Sequence, residues 1–428
     1  MAKFVGVLIY KIKAKALQPL HIGSSEGDMN ILTDSIYKKP YIQANSLAGA
    51  FGEYADEHMD AERKAELFGS VSAGKSKIVF SNGEILKNKE IELRPRVKIN
   101  QDYGIVSNKF EVQLLSPGAD LEFTISVFEN EKINDDGTAA REDYAETAEM
   151  LVSAFNDGKI LLGGQKTNGC GKFEVTYLGF KKFNLYDKKD CEAWLNSDIE
   201  FEDVTDKVLK HTESDCYNIS MRADIMETLI VKSTATFSSN NVNKFVNSES
   251  IKNSAGDYFV PGSSIKGVLK GRIYSIGEYM KLNKNILDEM FGAEAEISNT
   301  DTGIAGKVMF EDAIIDKSRA RVIHRVKIDK FTGGAYGGGK FDEMPVAGVL
   351  TITVRVPKKM VNSCAAAALV MMALRDLGCG VISLGGLSSV GRGFIEADAL
   401  NIDNEDERKI FRQGMNRLKE LVEQIGGV

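Results

Sequence analysis

The chain has 428 residues, of which 43% are hydrophobic and 27% charged, values ordinary for a soluble globular protein. Its formal net charge of −7 argues against nucleic-acid binding over the whole surface, but a basic groove can coexist with an acidic back. No run approaches the roughly 18 to 20 apolar residues of a membrane-spanning helix, so no membrane partner is expected.

The five cysteines show an odd count and no paired metal spacing. They therefore indicate neither a disulfide framework nor a zinc site. The apolar N-terminal run is interrupted by Lys11 and Lys13 and precedes no small-residue cleavage site, so it favours a core strand over a signal peptide. Together these features predict a cytoplasmic protein.

The first predicted element is a long strand over residues 4–20, where Ile12, Ala14 and Ala16 alternate with lysines. A polar loop follows, and Asn45 and Ser46 are good N-capping residues for a helix that ends near His58. The remaining elements of this half are a strand over 77–80, an insertion over 94–115, a strand over 121–127, a helix over 140–156 ending at Gly158, a glycine loop and a final strand.

The second half repeats this order. Its predicted elements are a strand over 217–237, a loop over 238–257, a helix from Ser263 and Ser264 to Met280, a strand over 307–310, an insertion over 321–345, a strand over 349–356, a helix over 361–377 ending at Gly378, a glycine loop and a last strand. Residues 405–425 form an amphipathic helix whose apolar stripe is expected to pack on the core.

Sequence motifs repeat between the two halves in the same order. YIQANSLAG at 41–49 returns as FVPGSSIKG at 259–267, RVKIN at 96–100 as RVKID at 325–329, and LGGQKTNGCG at 162–171 as LGGLSSVGRG at 384–393. Collinear matches indicate a duplication. We predict two domains, 1–185 and 215–428, joined by a linker over 186–214. The order strand, helix, strand, strand, helix, strand predicts an α+β, ferredoxin-like fold for each.

The repeated glycine loops and helix starts are the strongest chemical signals. Glycine lets a ligand approach main-chain N–H groups, and a helix N-terminus attracts anions. Lys166, Asn168, Lys266 and Arg392 add side-chain donors, so phosphate is the natural ligand. Tight structural turns and simple N-capping are the alternatives. The histidines form no visible catalytic constellation.

These motifs resemble those of the RAMP superfamily, RNA-binding proteins that build the backbone of type III CRISPR effector complexes. Its members pair a helix-start motif like IPGSSLKG with a glycine loop like LGGxxxxGxG. Both halves carry both motifs, so the chain is similar to tandem fusions of two backbone subunits. The resemblance implies two RRM-like RAMP domains that bind guide RNA, target RNA and other effector subunits.

The resemblance also implies that the two insertions are thumb-like hairpins that wedge into the guide–target duplex. Family cleavage resembles metal-assisted attack of a ribose 2′-hydroxyl on the adjacent phosphate, using an Asp in the loop after the first strand. Counting from the end of that loop places this residue at Asp28, six before Asp34. The same count from Asn253 reaches Asn247, which lacks a carboxylate, so one cut site is expected.

Asp28 is therefore the predicted catalytic residue and ligand of a divalent metal, Mg²⁺ or Mn²⁺, with Glu26, Glu249 and Asp257 as alternatives. The predicted RNA-binding residues are His21, Ser24, Asn45, Ser46, Lys98, Gly163, Gly164, Lys166, Asn168, Ser263, Ser264, Lys266, Lys327, Gly385, Gly386, Ser388 and Arg392.

The sequence thus predicts a guide-RNA-binding subunit that is also a metal-dependent endoribonuclease acting on target RNA. Three rival functions stay open. The chain could be a non-catalytic scaffold of the same complex, or a guide-processing endoribonuclease that cuts precursor RNA alone and without metal. The third is a ferredoxin-like protein that binds no RNA, which leaves the duplicated loops unexplained.

Overall fold

The computed structural model describes residues 4–23, 29–71, 74–88, 90–100, 105–133, 139–141, 143–197, 199–209, 214–229, 232–233, 248–293, 303–397 and 405–426. Antiparallel sheets and α-helices occur in both halves, so the predicted α+β class is confirmed. Within the described residues, no helix combines the length and apolar character needed to cross a membrane.

The elements of the first half are, in chain order, β1 (Phe4–Ala16), β2 (Tyr41–Ile42), α1 (Ala44–His58), α2 (Ala61–Phe68), β3 (Ile78–Phe80), β4 (Gly83–Lys87), β5 (Ile91–Asn100), β6 (Ile105–Leu115), β7 (Asp120–Ile133), β8 (Ala139–Arg141), α3 (Ala145–Asn156), β9 (Phe173–Asn184), α4 (Lys188–Leu195) and β10 (Glu202–Asp203). Short 3₁₀ turns cover Lys166–Asn168 and Thr205–Lys207.

The elements of the second half are β11 (Cys216–Leu229), β12 (Lys232–Ser233), β13 (Ser248–Ser250), β14 (Phe259–Val260), α5 (Gly262–Tyr279), α6 (Lys284–Phe291), β15 (Gly292–Ala293), β16 (Ile304–Ala305), β17 (Met309–Phe310), β18 (Ala313–Ala320), β19 (Ile323–Ile328), β20 (Ala335–Met344), β21 (Val346–Pro357), α7 (Ser363–Gly378), β22 (Ile395–Glu396) and α8 (Glu405–Gly426). A 3₁₀ turn covers Ser388–Val390.

Two compact units are formed by these elements. Unit 1 comprises Met1–Arg94, Glu111–Lys166 and Cys170–Ser214. Unit 2 comprises Pro95–Phe110, Thr167–Gly169 and Asp215–Val428.

The main sheet of unit 1 is built around β1. The strand order is β10-β9-β1-β7-β4-β2, with β3 and β8 also paired to β7. Strand β1 pairs antiparallel with β7 on one side and β9 on the other. One face of β1 packs into the core through Leu8, Tyr10 and Ile12, which explains the alternation seen in the sequence.

Helices α1 and α3 supply the rest of that core. Leu47, Phe51 and Ala55 recur at helical spacing and are buried along α1. The ring of Phe51 lies 5.2 Å from that of Phe80 and 5.6 Å from that of Phe155, centroid to centroid. Phe51 is therefore central to an aromatic cluster.

The segment predicted as a linker is partly regular structure. Asp187 caps α4 by accepting hydrogen bonds from the N–H groups of Lys189 and Asp190. Trp194, on α4, packs with the cluster of Val7, Ile9 and Phe183 on the other face of the β1 sheet. The segment is polar because α4 lies at the surface, and this is why its sequence shows no clear apolar period.

The main sheet of unit 2 follows the order β14-β18-β21-β11-β22, with β17 also paired to β21. Strand β11 pairs antiparallel with β21, for example Ile219 with Val354. Helix α7 is buried along most of its length, and α8 contributes Leu418 to the same core. The predicted core packing of the last helix is confirmed.

Both predicted insertions form β-hairpins. Strand β5 pairs with β6 in a separate sheet. Strands β19 and β20 pair antiparallel, with Arg325 opposite Phe341, in a sheet ordered β12-β13-β20-β19. A solvated irregular loop is thus excluded for the described parts of both insertions.

Some predicted helix boundaries are wrong. Helix α3 begins at Ala145 rather than at residue 140, because residues 139–141 form strand β8 against β7. Gly378 is the last residue of α7 rather than its cap, and the left-handed backbone falls on Gly380, with φ +72°. A second glycine close to the helix end therefore takes the capping conformation.

Candidate nucleic-acid interface

The helix start of unit 1 is capped by a residue distant in sequence. The backbone N–H of Ala44 donates to Asn82 Oδ1 at 2.9 Å, and Gln43 holds the N-cap position. The prediction that Asn45 and Ser46 are the caps is therefore wrong. They lie in the first turn, with Asn45 exposed and Ser46 half-buried, where both can still face a ligand.

The helix start of unit 2 has the same construction with a different charge. The N–H of Gly262 donates to Asp312 Oδ1 at 2.8 Å, after Pro261 at the N-cap. Ser263 and Ser264 lie half-buried in the first turn and are not the caps. A carboxylate at this helix N-terminus offsets part of its attraction for an anion. The affinity for phosphate must then come mainly from side chains.

Lys266 supplies such a side chain, one turn into α5. Its Nζ donates to Thr167 Oγ1 at 2.9 Å within unit 2. Burial lowers the pKa of Lys266 to about 8, and the positive charges of Lys270 and Arg96 contribute to this shift. A phosphate would bind favourably beside this half-buried ammonium group, because its negative charge would offset the repulsion among Lys266, Lys270 and Arg96.

The first glycine loop, residues 162–171, is tied at Gly163 and Gly164 to the chain segment at His21. The N–H of Gly164 donates to the His21 carbonyl at 2.8 Å, and His21 Nδ1 lies 3.0 Å from the Gln113 carbonyl oxygen. Gly163 has φ +75°, and a Cβ there would lie 2.2 Å from the His21 carbonyl oxygen. These contacts occupy the Gly164 N–H and bury His21. Close packing and a positive φ account for Gly163, whereas a Cβ on Gly164 would lie at an ordinary 3.5 Å from the His21 ring.

Side chains of this loop remain accessible. Lys166 and Asn168 lie in its 3₁₀ turn, and Lys166 Nζ pairs with Glu53 Oε2 at 2.8 Å. Both members of the pair are partly exposed, so the pair contributes little stability. An RNA phosphate can replace Glu53 as the partner of Lys166 at small cost.

The glycine loop of unit 2 is closed at its base. The N–H of Leu384 donates to the Gly393 carbonyl at 2.8 Å. Gly385 and Ser388 are exposed, and Gly386 is half-buried. This part of the loop is accessible to a ligand.

Two glycines of this loop make a matched pair for mutation. Gly393→Ala is expected to destabilise unit 2 by about 3 kcal/mol, because φ is +79° and the new Cβ would lie 2.1 Å from the Leu384 carbonyl oxygen. Gly391→Ala should cost only about 1 kcal/mol, since φ is +82° but the Cβ meets nothing within 4 Å. Denaturant unfolding followed by circular dichroism measures both. Equal costs would contradict the close-packing argument.

Arg392 is not positioned as predicted. It is buried, and its Nη2 pairs with Glu343 Oε2 on β20 at 3.2 Å. Glu343 also pairs with Arg325 Nη1 at 3.3 Å. Arg392 therefore points into the protein, and its predicted direct contact with RNA gains no support from this geometry.

The hairpin β19–β20 forms a basic surface that the sequence analysis largely missed. Lys327 is exposed, with its Nζ 5.1 Å from the ring centroid of Tyr336. Phe331 is 98% exposed at the turn. Further exposed basic residues in and beside the hairpin are Lys317, Arg319, Arg321, Lys330 and Lys340. The signal was present in the sequence, since Asp329 is the only acidic residue between 317 and 340.

The first hairpin is less basic. Arg94 is buried and pairs with Glu92 Oε2 at 2.9 Å. Lys98 belongs to β5, but its side chain lies outside the described residues. This hairpin thus offers fewer described cations to an RNA than hairpin β19–β20.

The loops that precede the two helix starts are closed in the same way. Asp34 accepts hydrogen bonds from the N–H groups of Tyr37, Lys39 and Ile36, which lower its pKa. Asn253 Oδ1 accepts from the N–H of Asp257 at 2.8 Å. Asp34 and Asn253 therefore make similar local hydrogen bonds, each accepting from a main-chain N–H a few residues further along the chain.

The candidate catalytic position itself lies outside the described residues. This holds for Asp28, for its counterpart Asn247 and for Ser24 and Glu26. The described residues contain no cluster of three or more His, Cys, Asp or Glu side chains that could hold a metal ion. The catalytic and metal-binding roles of Asp28 therefore remain predictions.

Comparison with known proteins identifies the family. The sequence model of the RAMP superfamily matches residues 13–174 and 227–396, one stretch in each half, so the chain belongs to the RAMP superfamily. No curated protein matches the chain.

A similar solved chain belongs to the cryo-EM structure of the Type III-B Cmr-beta bound to cognate target RNA. The TM-score is 0.33 and the sequence identity 15%. The similarity covers 41% of this chain and 61% of the solved one.

Proposed function

We propose that this chain is a backbone subunit of a type III CRISPR effector complex, with guide RNA, target RNA and other effector subunits as partners, acting in the cytoplasm. Two RAMP regions in one chain support a tandem subunit. The observation that carries RNA binding is the basic hairpin β19–β20, which stands out on a chain of net charge −7. Such a local basic surface is the electrostatic footprint of nucleic-acid binding.

In this proposal each repeat is a ferredoxin-like domain. The support in unit 1 is the sheet order β9-β1-β7 with β3 and β4 on β7, and the packing of α1 and α3 in a common core. In unit 2 the corresponding order runs through β22, β11, β21 and β18. Both orders place the first long strand of the repeat inside the sheet.

RNA would be held by its backbone and by stacking. Lys266 and the hairpin cations would contact phosphates, while the exposed rings of Phe331 and Tyr336 can stack on bases. Contacts of this kind do not read the base sequence. Affinity should therefore be similar for unrelated RNA sequences and fall steeply with salt.

The pH dependence of RNA binding tests the Lys266 site. Since the pKa of Lys266 is about 8 in the folded chain, its charge is present at pH 7 and is lost as the pH rises. We expect affinity for a short RNA of arbitrary sequence to fall by up to about tenfold between about pH 7 and pH 9. Fluorescence anisotropy with labelled RNA measures this.

Two substitutions at the same position are the controls. Lys266→Arg should keep the affinity and flatten the pH profile, because arginine stays charged. Lys266→Met should bind weakly at both pH values. Lys266→Met should also raise the free energy of unfolding below pH 8, where the native chain must bury a charged lysine. This gain should shrink between pH 8 and pH 10.5, because the lysine is then neutral in the folded chain but still protonated in the unfolded chain. A pH profile in Lys266→Met that is as steep as in the native chain would contradict the site.

We also propose that the complex cuts bound target RNA at one position, and that Asp28 is the catalytic residue for this cut. The similar local hydrogen bonds of Asp34 and Asn253 support the alignment that pairs Asp28 with Asn247. A bound Mg²⁺ or Mn²⁺ would stabilise the charge that develops when a ribose 2′-hydroxyl attacks the adjacent phosphate. The main alternative is a scaffold subunit that does not cleave RNA, since such a subunit needs only the RNA-binding surfaces. A guide-processing endoribonuclease is the less favoured alternative.

A further inference from the structure

The base of hairpin β19–β20 buries charged rather than apolar side chains, in addition to its main-chain pairing with β13. Along β19 every side chain is exposed or half-buried. Along β20 the buried positions are Gly339, Asp342 and Glu343. A hairpin is normally held in register by an apolar side facing a core. Here the two adjacent buried side chains of β20, one on each face of the strand, are the carboxylates Asp342 and Glu343.

Both carboxylates have cationic or imidazole partners. Asp342 Oδ1 lies 2.7 Å from His324 Nδ1 across the hairpin. Glu343 bridges Arg325 and Arg392, at 3.3 and 3.2 Å. Arg392 and Glu343 are each only 7% exposed. Removing one member of such a buried pair leaves the other charge desolvated, which strongly destabilises the arrangement.

Arg392 belongs to the second glycine loop, residues 384–393, which is closed by main-chain hydrogen bonds. The Arg392 N–H donates to the Leu387 carbonyl at 3.3 Å, and Leu384 is bonded to Gly393 across the base of the loop. Leu387 has a left-handed backbone, with φ +64°, inside this short turn. The guanidinium therefore projects from a closed loop towards the base of the hairpin.

We propose that Arg392 is a positioning residue that fixes hairpin β19–β20 to the glycine loop through Glu343, and so sets where the hairpin contacts RNA. This inference rests on the proposed function for its effect on RNA. It replaces direct phosphate binding as the role of Arg392. The hairpin itself presents the cations, and the buried pair holds them in place.

The substitution Glu343→Gln distinguishes a positioning role of Arg392 from direct phosphate binding by Arg392. Hydrogen exchange of residues 323–344 in the free chain should become at least about tenfold faster in Glu343→Gln and in Arg392→Gln, because the buried pair is broken. Arg392→Lys should restore part of the protection. The double variant should exchange no faster than Glu343→Gln alone, since Glu343→Gln already breaks the pair with Arg392. Glu396→Gln, an exposed carboxylate on β22, is the matched control and should change nothing.

RNA binding then shows the functional consequence. If the pair positions the hairpin, Glu343→Gln should weaken RNA binding at least about threefold and alter the RNA footprint, although it removes a negative charge. Unchanged exchange together with equal or tighter RNA binding in Glu343→Gln would overturn the inference. If the native chain binds no RNA, the proposed function fails, whereas faster exchange would still establish the anchoring role.

Discussion

Reversing three cations of the hairpin, in the variant Arg319→Glu, Lys327→Glu and Lys330→Glu, is expected to weaken RNA binding at least about 100-fold. Each contact between a charged side chain and a phosphate contributes about 1.5 to 3 kcal/mol, and reversal adds repulsion. All three side chains are exposed, so the fold should be unaffected. The slope of log affinity against log salt should fall by about one unit for each phosphate that the variant no longer binds.

The matched control reverses three exposed lysines elsewhere, Lys75→Glu, Lys188→Glu and Lys189→Glu. Both variants change the net charge by the same amount. A general effect of charge would weaken binding equally in the two, whereas a local interface weakens it much more in the hairpin variant. Anisotropy titrations of the same RNA at several salt concentrations distinguish these results. Equal weakening in the two variants would contradict the proposed interface.

The second large effect concerns the stability of unit 1. Phe51→Ala should lower the free energy of unfolding by about 3 to 5 kcal/mol, because Phe51 is fully buried and its ring contacts those of Phe80, Phe123 and Phe155. Val79→Ala is the control, since Val79 is 49% exposed on β3 and should cost well under about 1 kcal/mol.

The chain contains a single tryptophan, which makes this measurement specific. Trp194 packs in unit 1 against Phe128, with ring centroids 6.3 Å apart. Urea unfolding followed by tryptophan fluorescence therefore reports on unit 1. The midpoint should shift markedly in Phe51→Ala and little in Val79→Ala. A similar shift in both would place Phe51 outside a cooperative core.

Local sequence patterns predicted the long helices and strands, but not the short helices α2, α4 and α6. Helix α1 follows from the spacing of Leu47, Phe51 and Ala55, and β1 from its alternating lysines. The duplicated motifs also predicted that the two hairpins would correspond. In each case neighbouring residues contain the information, because the period of the apolar side chains sets the type of element.

Contacts between residues distant in sequence could not be predicted in this way. The helix starts are capped by Asn82, which follows β3, and by Asp312, which follows β17. Arg392 was predicted to bind RNA from its place in a glycine loop, and nothing near it in sequence indicated Glu343 as a partner. Such pairings depend on tertiary packing. The basic character of the hairpin, by contrast, could have been predicted from the charges of residues 317–340.

Cleavage of target RNA by the reconstituted complex tests the account most directly. Native chain, Asp28→Ala and Asn247→Asp would each be assembled with guide RNA and partner subunits, with Mg²⁺, with Mn²⁺ or with EDTA. We expect Asp28→Ala to lose one metal-dependent cut while target binding is kept, and Asn247→Asp to gain a cut at a second position. Unchanged cutting in both variants would contradict the assignment of Asp28 and favour a non-catalytic scaffold.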